Sequence, residues 1–319
     1  MRTFFIEIPR DLTSYEFYNN ILLQKSDQRI QSAESVVIDF SKTYRVEPLV
    51  IPNLLGLGYE IRKKYNNTAQ IYIPETSYAG ELKNYLNEIQ FTKYVEKYGL
   101  FEFVSSPYGG MQGKKIDPVC GTLYFDVNNS VDEINRGVEY YIAPFADEYL
   151  YNFKSMKESS QGIYYTNEIT EFLEEVITNC KKHAKSFSFT TLHAKYSIKK
   201  IYISVSDFGC GFSNTIKRYM ENKDEISAIM DGVYKRRESK VYGLYNVIRR
   251  VLEYGGKVRI HSNSAQVIFT PRILKSYING NLCKDESFYK YNVKRDMLFD
   301  GVHIEMELPL ERGEYSVYN

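Results

Sequence analysis

Two stretches decide the fold of this 319-residue chain, EVITNCKKHA at residues 175–184 and SDFGCGF at residues 206–212. The first is typical of an amphipathic helix, because apolar side chains recur at helical spacing and no Gly or Pro interrupts residues 168–184. The second follows a strand-like run that starts at Lys200 and ends with an acid and two glycines. Glycines there let the backbone turn tightly and approach a ligand closely. Together the two stretches indicate a nucleotide site.

The predicted helix carries a stripe of polar side chains. Glu175 and Asn179 are four residues apart and therefore share a face, which Lys182 and His183 continue for another turn. A carboxylate, a carboxamide and a cation in one stripe can place a water molecule, a metal ion and a phosphate in a row. Asn179 in a helix interior is unfavourable for helix propensity, which favours a ligand role for it.

Four segments, in order, resemble the motifs of the GHKL family of ATP-binding proteins, which includes gyrase B, histidine kinases, MutL and the anti-sigma-factor serine kinases. The resemblance covers about residues 140–319. It implies a two-layer α/β sandwich of the Bergerat type. The matching segments are Glu175 to Ala184 for the N box, Asp207-x-Gly209-x-Gly211 for the G1 box, residues 242–260 for the G2 box with its helix, Gly-Gly turn and strand, and residues 301–309 for the closing strand that ends in Leu-Pro.

The resemblance also implies roles for individual residues. Glu175 would act as general base on water or on a substrate hydroxyl, and Asn179 would hold Mg²⁺ that bridges the phosphates. Asp207 would accept a hydrogen bond from the adenine amine. The other implied contacts to ATP are Lys182 and His183 after the N box, Gly209 and Gly211 beside the base, Lys240 in the ATP lid together with Lys235 to Arg237, and Gly243 and Leu244 at the phosphates.

Two positions depart from the family pattern. Val241 stands where the G2 box has its first glycine, and a side chain there narrows how closely the backbone can wrap the phosphates. Val302 stands where the family places a threonine in the closing strand. Neither change touches Glu175, Asn179 or Asp207, so the sequence predicts nucleotide binding more directly than fast turnover.

The N-terminal third alternates strand and helix, which predicts a small α/β domain over residues 1–105. A connector is predicted at residues 106–135, rich in Gly, Pro, Asn and Asp, and the ATP-binding domain at residues 136–319 with an insertion near 271–300. Within the first domain, the sequence predicts strands at the N-terminus, at residues 35–40, 70–74 and 100–104, and helices at residues 48–65 and 80–98.

The first domain is similar to the STAS-like domains of anti-sigma-factor antagonists, through Val37-Ile-Asp39-Phe-Ser41 and the order of its elements. In that family a serine in an Asp-Ser-Ser or Asp-Ser-Gly segment accepts phosphate from a partner kinase. The matching stretch here, Glu47-Pro-Leu-Val50, has no hydroxyl. We therefore expect residues 1–105 to bind a protein rather than to accept phosphate.

Composition limits the partners. Lys+Arg 41 against Asp+Glu 40 leaves no basic excess, so general nucleic-acid binding is not implied. No run approaches the roughly 18 apolar residues of a membrane span, so no membrane association is expected. Four scattered cysteines form neither a metal motif nor a disulfide framework, which favours a cytoplasmic location. His193, His261 and His303 lie in strand-like runs and are expected to be half-exposed rather than metal ligands.

The expected function is therefore that of an ATP- and Mg²⁺-dependent regulatory protein acting on a protein partner or as a homodimer. Three readings stay open: a protein kinase of the anti-sigma type, an ATP-gated clamp or dimer that hydrolyses ATP slowly, and a pseudoenzyme that only binds ATP. A histidine autokinase needs a phosphoacceptor His upstream, and no His precedes His183.

Overall fold

Helices and strands of the predicted kinds build a mixed α/β protein, whose described strands form both parallel and antiparallel pairs. The chain divides into two units, Met1–Thr122 and Leu123–Asn319, and the division falls within a strand. The computed structural model describes residues 2–65, 68–108, 119–145, 161–195, 198–216, 225–234, 243–270 and 298–309.

A four-stranded parallel sheet forms the centre of the first unit. Its strands lie in chain order, and Ile6, Ile38 and Ile71 pair across it and are buried. On the opposite face Phe5 and Tyr72 are exposed. The predicted strands are confirmed, although the last is short. The strands are β1 (Thr3–Glu7), β3 (Ser35–Asp39), β5 (Thr68–Tyr72) and β6 (Glu102–Phe103), with β2 (Asp11–Leu12) and β4 (Arg45–Val46) as a separate parallel pair.

The helices of the first unit cross between these strands. The predicted helix at residues 48–65 is confirmed, but the helix predicted at residues 80–98 is two helices. They are separated at Gln90, whose φ of 61° is left-handed and cannot continue a helix. The helical segments are α1 (Ser14–Glu16), a π-helical turn (Phe17–Ile21), α2 (Leu22–Lys25), two 3₁₀ turns (Gln28–Ser32 and Pro48–Val50), α3 (Ile51–Tyr65), α4 (Ser77–Glu88) and α5 (Phe91–Tyr98).

The second unit is built on a six-stranded sheet with the order β11-β10-β12-β9-β8-β7. The pairs from β11 to β8 are antiparallel. One face is apolar: Ile203, Met306 and Val258 meet across three strands and are fully buried. The strands are β7 (Val119–Phe125), β8 (Ser188–Lys195), β9 (Lys200–Asp207), β10 (Lys257–Asn263), β11 (Ala265–Phe269) and β12 (Phe299–Pro309).

The helices of this unit agree with the motif-based predictions. The helix over the N box, the helix of the G2 box and the strands after each of them are confirmed. None of the helices among the described residues is long and apolar enough to cross a membrane. The helices are α6 (Val131–Phe145), α7 (Gln161–Asn179) continued by a π-helical turn (Cys180–Ala184), α8 (Gly211–Thr215), α9 (Glu225–Tyr234) and α10 (Leu244–Glu253).

Parts of the sequence-based outline differ from the structure or lie outside it. The segment predicted as a connector, residues 106–135, holds strand β7 and the start of α6, while its residues 109–118 lie outside the described residues. Helix α6 thus begins at Val131, inside the segment predicted as a connector, and is described to Phe145. Most of the predicted insertion, residues 271–297, is also outside the described part.

The second face of the six-stranded sheet is polar and buried, which overturns the expectation for three histidines. His193, His261 and His303 are 3%, 2% and 0% exposed, so the prediction that they are half-exposed is wrong. Alternation in a strand shows which residues share a face but not whether that face meets water. Burial lowers the pKa of His193 to about 3, with a further contribution from Lys195. His193 is therefore neutral at physiological pH.

The end of the α7 segment contains a strained residue. The π-helical turn Cys180–Ala184 stops at Lys185, whose φ of 51° is left-handed and whose N–H donates to the carbonyl of Cys180 at 3.1 Å. A residue with a Cβ destabilises the folded state in this conformation by about 1–2 kcal/mol, whereas glycine does not. Glycine loses part of that gain through its larger backbone entropy in the unfolded chain.

We expect Lys185→Gly to be more stable than Lys185→Ala by about 1 kcal/mol, because both variants remove the same exposed side chain and only glycine relieves the left-handed strain. Urea unfolding of the two variants, followed by far-UV circular dichroism, measures the difference. Equal midpoints would show that the backbone at position 185 is not strained in solution.

Candidate functional site

A cavity of about 270 Å³ lies in the second unit between the end of the α7 segment, the end of β9 and helix α9. Most of its wall is apolar, with Val176, Phe212 and Leu244 on three different helices. Polar groups are few: Asn179, His183, Asp207, Thr215 and Asp231. A largely apolar pocket with a small number of fixed polar groups is the usual form of a small-molecule site.

The structure brings five of the predicted site residues together in this wall, which are Asn179, His183, Asp207, Gly211 and Leu244. Four others lie nearby without lining it. Glu175 contacts Asn179, Gly209 packs against Ala184, Gly243 precedes α10, and Lys182 is exposed to solvent. The remaining predicted contact, Lys240, and the basic residues 235–237 lie outside the described residues.

Asp207 is the buried acid of the cavity, at the last position of β9 and only 2% exposed. Its Oδ1 accepts from the backbone N–H of Gly209 at 3.0 Å and of Val302 at 3.2 Å. Burial raises the pKa of Asp207 to about 6, and these two hydrogen bonds oppose that rise by stabilising the carboxylate. The side chain is therefore ionised at neutral pH and held in one orientation.

Cys180 is a second group at the buried end of the cavity, 6% exposed and hydrogen-bonded to Asp207. Burial raises the pKa of this thiol well above its usual value, and the Asp207 charge adds to the rise. The thiol is thus a donor to the carboxylate rather than a nucleophile. Two backbone N–H groups and one thiol use three of the roughly four acceptor positions of a carboxylate, so Asp207 keeps capacity for a ligand donor.

Glu175 and Asn179 are joined on one face of α7, as their spacing predicts. The Asn179 Nδ2 donates to Glu175 Oε1 at 2.8 Å, which leaves the carboxamide oxygen as an acceptor or a metal ligand. Beyond Asn179 the helix widens into the π-helical turn. In a π-helical turn each residue rotates less about the helix axis than in an α-helix. His183 therefore stays close to the face of Asn179, whereas Lys182 is turned away from that face. Insertions of this kind are frequent at functional sites.

Two glycines allow backbone segments to meet around Asp207. A Cβ on Gly209 would lie 2.4 Å from the carbonyl oxygen of Ala184. A Cβ on Gly301, where φ is +96°, would lie 2.0 Å from the carbonyl oxygen of Asp207. The close approach at Gly301 is what lets the next residue, Val302, donate its N–H to the Asp207 side chain. Larger residues at either position would displace the carboxylate.

Glu225 is a buried carboxylate that the sequence analysis missed, at the first turn of α9 and 3% exposed. It accepts from both the N–H and the hydroxyl of Ser213, from Ser262 Oγ at 2.8 Å, and from Asn263 Nδ2 at 2.6 Å. Asn263 Nδ2 also donates to the carbonyl of Cys210 at 3.0 Å. The network therefore fastens the glycine loop (residues 208–211) to the β10–β11 turn and to α9. No local pattern indicated it, because the partners are distant in sequence.

Asp231 and Gly232 on α9 were also missed as parts of the cavity wall. A Cβ on Gly232 would lie 2.4 Å from the ring of Phe212, so this glycine lets the ring pack directly on the helix. An Asp-Gly pair inside a helical pattern is only a weak sequence signal for a site. Here it marks the point where a carboxylate lies beside a close contact between a helix and an aromatic ring.

Within the described ranges no group of three or more His, Cys, Asp or Glu side chains could hold a metal ion. The donor set at Asn179 offers one hard oxygen, which suits Mg²⁺, since this ion keeps several waters and is usually held by one or two protein ligands together with substrate phosphates.

Comparison of the chain with models of known protein families and with curated proteins finds no match in either case. Any functional assignment therefore depends on the residues and the geometry.

The raised pKa of Asp207 makes a prediction about stability. The folded state holds the Asp207 proton more tightly than the unfolded state, whose pKa is near 3.8, so the contribution of Asp207 to stability falls as pH rises from about 4 to about 6 and is lost above that. Asp207→Asn removes the titratable carboxyl group, so the variant does not lose stability in this way as pH rises. We expect the variant to become more stable relative to the native chain across this window, by on the order of 1–3 kcal/mol.

Chemical denaturation at pH 4, 5, 6 and 7 gives the difference in unfolding free energy between the two proteins. Asp132→Asn, an exposed residue in the first turn of α6, serves as the control for the same chemical change. A difference that does not vary with pH would mean that Asp207 has an ordinary pKa in the folded chain.

Proposed function

We propose that this chain binds ATP with Mg²⁺ in the cavity around Asp207 and acts as a GHKL-type regulatory protein on a protein partner or a second copy of itself. The observation that carries the proposal is the buried Asp207 carboxylate in an otherwise largely apolar wall, held by two backbone N–H groups and still able to accept. The hydrogen bonds inside the protein make its burial tolerable, and they leave one acceptor position that a ligand donor can use.

The chemistry of Asp207 supports adenine rather than guanine. Adenine presents an exocyclic amine, a donor that a carboxylate can accept from, whereas guanine presents an oxo group at the same position. A carboxylate facing that oxygen would be repelled and left without its partner. Sites that hydrogen-bond a specific donor reject analogues lacking it more strongly than apolar pockets can. The apolar side chains of Val176, Phe212 and Leu244 suit the faces of a planar base.

The phosphates would lie toward Asn179 and the start of α10. Gly243 has extended backbone before this ten-residue helix, and Leu244 lines the cavity. The first N–H groups of a helix have no acceptor within it and carry partial positive charge, which favours a phosphate. Asn179 would hold the Mg²⁺ through its carboxamide oxygen, and the ion would neutralise charge on the phosphates.

Glu175 would orient and deprotonate a water molecule or a partner hydroxyl. Its hydrogen bond with Asn179 keeps the carboxylate beside the proposed phosphate site. A second candidate function is ATP binding without turnover, which one observation favours: Glu175 does not itself line the cavity. Val302 in place of a threonine near Asp207 agrees with either function, because the residue contributes its backbone N–H.

For the first unit, we propose a STAS-like regulatory role in contacting the protein partner. Exposed apolar side chains on one sheet face, Phe5 and Tyr72, support this proposal, since parallel sheets are usually covered on both faces. The anti-sigma type of kinase and the ATP-gated clamp remain the two enzymatic forms of the proposal.

The nucleotide assignment is tested by calorimetry with ATP and GTP in the presence of Mg²⁺. We expect the native chain to prefer ATP, and Asp207→Asn to bind ATP about 10- to 100-fold more weakly, since a hydrogen bond to a charged acceptor is lost and the new amide group faces the adenine amine. Asp132→Asn should bind as the native chain does. Equal affinity for ATP and GTP, or no weakening in Asp207→Asn, would refute the assignment.

The role of Glu175 is tested by Glu175→Gln, which keeps the shape but removes the base. We expect phosphate release or transfer to fall on the order of 10²–10⁴-fold while ATP stays bound. Glu174→Gln, the same change on the neighbouring residue of α7, is the matched control and should retain activity. If the native chain binds ATP but has no activity that Glu175→Gln lowers, the protein is a non-catalytic ATP binder.

A further inference from the structure

The cavity contains a second carboxylate, Asp231, which none of the sequence motifs accounts for. It lies on α9, is half-buried, and lines the cavity together with the next residue, Gly232. Asp207 belongs to a different element and lies at the end of β9. Two acids on separate elements thus face one small space.

The charges of the wall determine which part of a nucleotide fits there. Among the described residues, no Lys or Arg lines the cavity. Thr215 commits its hydroxyl hydrogen to the carbonyl of Gly211 at 2.8 Å, so it offers an acceptor. The proposed function places the phosphates toward Asn179 and the start of α10. The base and the sugar then occupy the part of the cavity that Asp207 and Asp231 line.

The donors of adenosine then divide between the two acids. An ionised carboxylate only accepts hydrogen bonds, and adenine has a single exocyclic amine, which the proposed function assigns to Asp207. The remaining neutral donors of the nucleoside are the ribose hydroxyls. Resting on that proposed function, we propose that Asp231 accepts hydrogen bonds from the ribose hydroxyls and makes the site selective for ribonucleotides over 2′-deoxyribonucleotides.

The attachment of α9 supports this role. Glu225, at the start of the helix, is hydrogen-bonded to Ser213, Ser262 and Asn263, which hold the glycine loop and the β10–β11 turn. Two turns later, Gly232 packs against the ring of Phe212. The helix is therefore fixed at both ends relative to the loop that follows Asp207, and Asp231 has a defined position rather than a mobile one. Fixed acceptors of this kind discriminate between ligands that differ by one hydroxyl.

The test compares ATP, 2′-deoxyATP and GTP by calorimetry on the full chain with Mg²⁺. We expect 2′-deoxyATP to bind the native protein at least about tenfold more weakly than ATP, the ratio for one hydrogen bond to a charged acceptor. Asp231→Ala should bring this ratio close to one. Asp231→Asn, which keeps the shape and a neutral acceptor, should retain a ratio of about two- to fivefold and guards against misfolding of the alanine variant.

Variants of the two acids should change different ligand preferences, which separates the ribose role of Asp231 from the proposed function. Asp231 variants should keep the preference for ATP over GTP, whereas Asp207→Asn should lose that preference and keep the ratio of ATP to 2′-deoxyATP. If the native chain prefers ATP over GTP but binds 2′-deoxyATP equally well, or if Asp231→Ala leaves the ratio unchanged, the ribose role is overturned and adenine recognition stands. If the native chain binds no ATP, the proposed function itself fails.

Discussion

Two backbone N–H groups meet on one oxygen of the buried Asp207 carboxylate, and the surrounding structure depends on this meeting. The donors, Gly209 and Val302, are far apart in sequence, so the end of β9 and the start of β12 must approach closely. An ionised group without such partners would be too costly to bury. The antiparallel pairing of the two strands, with His303 opposite Ser206, provides the approach.

The same solution occurs a second time at Glu225. There the donors come from Ser213, Ser262 and Asn263, and the carboxylate ties a loop, a strand turn and a helix together. Because hydrogen-bonded buried acids fix their neighbours in one arrangement, the loop after Asp207 and the start of α9 are both held in place.

The sequence predicted those features whose signal is local. The helix with Glu175 and Asn179 follows from a repeat of three and four residues, and the Asp207 loop follows from its glycines. The Glu225 network could not be predicted, since Ser262 and Asn263 lie 37 and 38 positions away. The burial of His193, His261 and His303 was missed for a related reason: a strand pattern does not reveal what covers a face. The helix break at Gln90 depends on one left-handed backbone angle. Many residue types can adopt this angle when the fold requires it, so the residue type alone did not predict the break.

The glycine loop also restricts how this protein can evolve. At Gly211, where φ is +76°, an added Cβ would lie 2.1 Å from Nδ2 of Asn263, and the Oδ1 of the same asparagine accepts from the N–H of Gly301 at 3.3 Å. A substitution at position 211 therefore meets two obstacles, the left-handed backbone and the side chain of Asn263, and shortening that side chain would remove a donor to Glu225. Positions 211, 225 and 263 are accordingly coupled, so that a lineage that changes one of them should show compensating changes at the others.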